Sequence, residues 1–169
     1  MKFKISALRK LFSEAINDDR LVSERPWSVE YAFSLSGGSA SDSEGKGPDG
    51  FAIVMTGESG KIVKVIVDSY WNPTSGDESG NSLKIEYENE KMSTYVPTRF
   101  DDGKQQLLII SNTPVPGVIT VSHSATLDDV PITYLIASNP FEIDEDVDFF
   151  IEQMGNGKAD VKLTSHSNL

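Results

Sequence analysis

Lys61 to Trp71 reads KIVKVIVDSYW, and no other stretch of the chain packs so much β-branched apolar side chain into so few residues. On an extended strand Val63, Val65, Val67 and Trp71 share one face. Ile62, Ile66 and Tyr70 share the other, interrupted by Lys64 and Asp68. A strand apolar on both faces belongs inside a sheet, not on its edge. The rest of the chain reads as its neighbours and its covers.

Upstream, Gly57-Glu58-Ser59-Gly60 is a hairpin signal that joins this strand to FAIVMT. Earlier still, Trp27, Val29, Tyr31, Phe33 and Leu35 alternate with Ser28, Glu30, Ala32, Ser34 and Ser36, the pattern of a strand with one buried face. Between them, Gly37 to Gly50 is too rich in glycine, serine and charge to build a core and reads as a long mobile loop. A second polar loop runs from Asn72 to Ser82. Downstream, Leu83, Ile85 and Tyr87 alternate with Lys84, Glu86 and Glu88. Met92–Val96, Gln105–Ile110, Val118–Ser122, Val130–Ala137 and Ala159–Leu163 complete the strand candidates. Short turns at 113–117 and 126–129 favour antiparallel pairing of neighbours.

Two segments carry helical spacing. Ile5, Leu8, Phe12, Ala15 and Ile16, widened by Leu11, predict an amphipathic helix over 6–17 with Ser6 as its cap. Asn139, Pro140 and Glu142 are start signals for a second, whose stripe would be Ile143, Val147, Phe150, Ile151 and Met154, ending at Gly155. Its opposite face would hold Glu142, Asp144, Glu145, Asp146, Asp148 and Glu152, with the acids in the first turns where the helix dipole favours them. The expected fold class is α+β, mainly β: an antiparallel sheet of seven to nine strands tending to a sandwich or barrel, with one helix near each terminus. At 169 residues the expectation is a single domain, with 1–20 as N-terminal amphipathic helix, 26–138 as β-rich body and 139–169 as C-terminal helix and final strand.

Composition narrows the function. The net charge of −11 repels a phosphate backbone, so no direct nucleic-acid binding is expected. Residues 1–25 hold six basic and four acidic side chains, +2, while the remainder holds nine against twenty-two, −13. Cysteine is absent, which removes disulfides and thiolate metal sites. No run approaches the ~20 apolar residues of a membrane span, and no apolar segment follows the N-terminal charges as in a signal peptide. The expectation is no membrane partner.

Chemical motifs are near misses. Gly57 to Lys61 has the Gly-Lys of a phosphate loop, but Met55 stands where its first glycine belongs, Ile62 replaces the Ser/Thr, and a strand follows where a helix is needed. His123 and His166 each sit between serines. On a strand those serines point away from the imidazole, so neither forms a nucleophile–base pair, and both histidines read as exposed. The acidic doublets at 77–78, 101–102 and 128–129 are ordinary turn residues, and Asp68, on the central strand beside Tyr70, leaves a buried carboxylate pair for acid/base work open, although a strand-end carboxylate hydrogen-bonded by its neighbours is the more common case. No catalytic residue, metal site or cofactor is assigned.

The first fifteen residues, MKFKISALRKLFSEA, resemble the short amphipathic start of many small tailed-phage proteins and the capsid-targeting segment of phage internal proteins. In the latter a maturation protease cuts after a glutamate in an apolar-x-Glu setting, which Phe12-Ser13-Glu14 resembles. The resemblance implies a virion-associated or accessory protein, in the virion or the host cytoplasm. The resulting expectation is a non-enzymatic structural or interaction protein with a protein partner or a second copy of itself. Leu8, Leu11, Phe12 and Ile16 would form one contact surface and Asp144, Glu145, Asp146 and Asp148 another. The alternatives are an acidic inhibitor of a nucleic-acid-binding or other basic site, and a hydrolase with a carboxylate site.

Overall fold

The structure, a computed structural model, describes residues 26–36, 48–69, 81–112, 117–142, 145–155 and 158–168. They form ten strands: β1 (Trp27–Ser36), β2 (Pro48–Gly57), β3 (Ile62–Asp68), β4 (Ser82–Tyr87), β5 (Glu90–Tyr95), β6 (Gln106–Ser111), β7 (Val118–Ser124), β8 (Ile132–Ser138), β9 (Val147–Gly155) and β10 (Lys158–Asn168). Every pairing is antiparallel. One sheet runs β10-β1-β6-β7-β8 and the other β5-β4-β3-β2-β9.

Period-2 patterning decides how the sheets meet. The odd residues of β1, from Trp27 to Leu35, face Phe51, Ile53 and Met55 of β2 and Val63, Val65 and Val67 of β3, and all are buried. Leu83 and Ile85 extend this layer on one side, and Leu108, Ile110, Ile119, Val121 and Leu135 on the other. Phe33 anchors the middle, its ring centroid 5.1 Å from that of Phe51 and 6.1 Å from that of Phe100. In the second sheet β3 is the central strand, flanked by β2 and β4, as its two apolar faces require.

A hydrogen-bonded polar pair, His123 and Gln106, sits in this core. His123, expected at the surface, is buried among Phe33, Phe100 and Tyr134. The correction follows from parity: 119, 121 and 123 share the inward face of β7. Its Nε2 donates to Gln106 Oε1 at 2.7 Å, and the Gln106 amide donates to the carbonyls of Arg99 and Phe100. The histidine thus ties β6 and β7 to the 99–100 turn. Burial lowers its pKa from 6.5 to about 4.

The α+β expectation is corrected: the described residues are all-β, with no helix. The C-terminal helix is replaced by β9, which pairs along β2 from Gly57↔Val147 to Pro48↔Gly155. The start signals are real but local. Asn139 Oδ1 accepts from the Phe141 amide and the Glu145 amide bonds to the Glu142 carbonyl, which turns the chain without propagating a helix. VDFFIEQM also reads at period 2, with Val147, Phe149 and Ile151 on the inward side. Pairing with β2 satisfies a backbone that a helix would have left as an exposed edge. The N-terminal helix expected over 6–17 lies outside the described residues, as do most of the expected loops Gly37 to Gly50 and Asn72 to Ser82, whose ends are corrected: residues 48–50 belong to β2 and Ser82 to β4.

Candidate functional site

The outward face of the second sheet departs from the usual solvated pattern. Asp68 of β3 pairs in register with Ser82 of β4, which pairs with Tyr95 of β5. Even positions of β3 and β4 point away from the core, as do odd positions of β5. Asp68, Ser82 and Tyr95 therefore form one row across three strands, about 5 Å between neighbours. Lys84 adjoins Asp68 on the same face, its Nζ 2.6 Å from Asp68 Oδ2.

The members of this row differ in exposure. Asp68 and Ser82 are buried at 7% and 4%, as is Ser69 next to the row at 2%, whereas Tyr95 keeps 58% of its surface. Ser82 Oγ is buried with no hydrogen-bond partner, the one such side-chain atom among the described residues. A buried hydroxyl left unsatisfied costs roughly 1–3 kcal/mol, so this position stores a capacity for one more donor or acceptor. Asn81 fixes the local backbone: its carbonyl accepts from the Val96 amide and its Oδ1 from the Phe100 amide. On this rigid sheet the exposed Tyr95 ring stands in line with the Asp68–Lys84 pair, with the unsatisfied Ser82 hydroxyl buried between them in the row.

A second feature lies between the sheets, where edge strands β5 and β8 part. A cleft of about 440 Å³ opens there, floored by Val63 and Ile85 and walled by Tyr87, Met92 and Ala137, with Glu90 at its mouth.

Of the residues expected to bind a partner, only Glu145, Asp146 and Asp148 are described, and they do not share one face. Leu8, Leu11, Phe12, Ile16 and Asp144 lie outside the described residues. Glu145 turns inward over the β2–β3 hairpin: Oε1 accepts from the Ser59 amide at 2.5 Å and Oε2 from the Glu142 amide at 2.7 Å. Burial alone would raise its carboxyl, but these bonds and the nearby Lys61 charge outweigh that and lower it. It is a structural brace. Asp148 lies exposed opposite Thr56 on edge strand β9, and Asp146 precedes that strand. The single acidic helical face does not exist, because β9 sends alternate residues to opposite sides. The sequence reading missed Tyr95, Ser82 and Lys84; the alternation within MSTYV, which turns Tyr95 outward while Met92 and Thr94 turn in, was the signal.

This architecture, two antiparallel five-stranded sheets closed over one apolar layer, is that of a lectin-type β-sandwich. The chain is similar in fold to lectin I-B4 from Griffonia simplicifolia in its metal-free form, with TM-score 0.61, 16% identity, and 89% of this chain and 74% of that one covered. It is similar to the VIP36 exoplasmic/lumenal domain in its Ca2+/Man-bound form, with TM-score 0.59, 12% identity and coverage of 86% and 69%. It is also similar to lectin UEA-II complexed with galactose, with TM-score 0.57, 15% identity and coverage of 83% and 70%. At these identities the similarity is one of fold. No family model and no curated sequence matches the chain. No helix among the described residues is long and apolar enough to cross a membrane.

Proposed function

We propose that this chain is a non-catalytic carbohydrate-binding protein, and that the Asp68–Ser82–Tyr95 row with Lys84 holds the sugar. The observation that carries the reading is an exposed aromatic ring set in register beside a buried hydroxyl without a partner. A sugar has an apolar C–H face and a rim of hydroxyls. Tyr95 offers a flat amphipathic surface for the first, and the partly accessible Asp68–Lys84 pair offers polar atoms for the second, with the buried Ser82 hydroxyl engaged only when a sugar hydroxyl reaches it through a local opening. The sheet supplies rigidity, so little ordering entropy opposes binding. The similar folds support the reading, since two of those proteins are lectins by name and two are described with Man or galactose bound.

A calcium ion, named with the VIP36 domain, does not fit the described residues by themselves. Calcium takes six to eight oxygens, whereas the row offers one carboxylate with an ammonium 2.6 Å away, and no group of three acidic or histidine ligands occurs among the described residues. The binding proposed is built on hydrogen bonds and ring contact. The resemblance of residues 1–15 to tailed-phage proteins adds a setting to the proposal, a virion-associated or accessory protein that meets glycans on a cell surface.

A glycan array probed with the purified chain and with Tyr95→Ala tests this reading. The expected result is retention of a defined set of mannose- or galactose-type glycans, lost at least tenfold in the variant. An array with no retained glycan, or one on which Tyr95→Ala behaves as the parent, contradicts it.

A further inference from the structure

The cleft between β5 and β8 plays no part in the sugar row: it opens inward between the sheets, while the row lies on the outer face. Its floor reaches the core at Val63 and Ile85, and Met92 provides a wall with adaptable shape. Its volume falls within the range of small-molecule sites. The mouth is anionic. Glu90 lines it, is exposed, and has no ion pair among the described residues. Lys61 and Lys91 are engaged with other carboxylates, Lys61 with Glu142 at 2.6 Å and Lys91 with Glu86 at 2.9 Å. Tyr87, on the same lip, bonds to Glu88, which raises its phenol pKa and keeps the ring neutral. An apolar slot with one free carboxylate at its entrance complements a ligand that is apolar along its body and positive at one end.

We propose that this cleft binds small primary amines with an aliphatic or aryl body, the ammonium pairing with the Glu90 carboxylate and the body lying against Val63, Ile85 and Met92. The bond is reversible and involves no chemistry. An anion of the same shape is rejected by Glu90 and by the protein's overall negative charge. The inference stands apart from the carbohydrate reading, because its ligand, residues and readout all differ.

The test uses the whole chain with methyl-labelled methionine, titrated with 4-phenylbutylamine and separately with 4-phenylbutanoate. The amine is expected to shift the Met92 methyl saturably while leaving Met154, on the outer face of β9, unmoved. The carboxylate should bind at least tenfold more weakly. Glu90→Gln, a change at an exposed side chain, should weaken the amine about tenfold, and Ala137→Trp, which fills the slot, should abolish the shift. Equal binding of both probes, an unaltered amine affinity in Glu90→Gln, or a Met92 methyl that does not respond would each overturn the proposal.

Discussion

The two faces of β3 are made from alternate residues of one strand and behave as different materials. Inward, Val63, Val65 and Val67 are almost without solvent and belong to the apolar core shared by the two sheets. Outward, Lys64 pairs with Glu152 at 2.7 Å and Asp68 with Lys84 at 2.6 Å, in company with an unsatisfied serine and an exposed tyrosine. The inner face is set by volume, so its side chains are interchangeable by shape and intolerant of loss. The outer face also buries Ile66, but its charged positions are set by hydrogen-bond geometry. Stability and recognition are thus separated by a single step along the backbone.

The largest expected effect comes from the inner face. Phe33→Ala removes a ring at the centre of the aromatic contacts and should cost about 3–5 kcal/mol, with Val65→Ala costing about 1–3 kcal/mol, both read from denaturant midpoints. A midpoint unmoved by Phe33→Ala would remove the inner face from its role.

Acid should act on the same face through His123. Its folded pKa of about 4 lies below the ordinary 6.5, so between these values the unfolded chain takes up a proton that the folded chain refuses. Stability therefore falls as pH drops from about 6.5 to about 4 and then levels off, by on the order of 3 kcal/mol in all. Carboxylates titrate across part of this window, so the signature is the difference between the parent and His123→Gln. Identical pH profiles for the two would mean that the imidazole is charged or solvated in the fold.

Gly57→Ala probes the closure of the sandwich at the β2–β3 turn. A methyl there would meet the Glu145 carboxylate and the Phe141 ring, and overpacking of this kind costs about 1–3 kcal/mol. The smallest effect belongs to the outer face: Tyr95→Ala should change stability by less than about 0.5 kcal/mol while removing binding. A large loss of stability in that variant would blur the separation of the two faces.

Much of the strand inventory was legible from alternation. Trp27 to Ser36 and Leu83 to Tyr87 show it cleanly, and Gly60, with φ of +81°, sits in the hairpin turn that its type favours. The segment from Asn139 to Gly155 was not legible, because a capping sequence precedes a run that satisfies both helical and strand periods. Only β2, whose residues pair with β9 across ninety positions or more, decides between them, and periodicity carries no knowledge of such a partner. His123 was misplaced for a related reason: flanking serines suggest exposure, but parity with Ile119 and Val121 sends it inward to Gln106. The candidate site was illegible because Asp68, Ser82 and Tyr95 are far apart in sequence and meet only through strand register. The acidic run near 145 drew attention instead, by charge alone.

The most direct measurement of the central claim is an amide chemical-shift map of the chain titrated with the glycan that the array retains best. The account predicts saturable shifts concentrated at Ser69, Ser82, Lys84 and Tyr95, with the inward residues of β1 and β6 unmoved. Shifts concentrated elsewhere, such as the β7–β8 turn or β10, with the Tyr95 row silent, would contradict it.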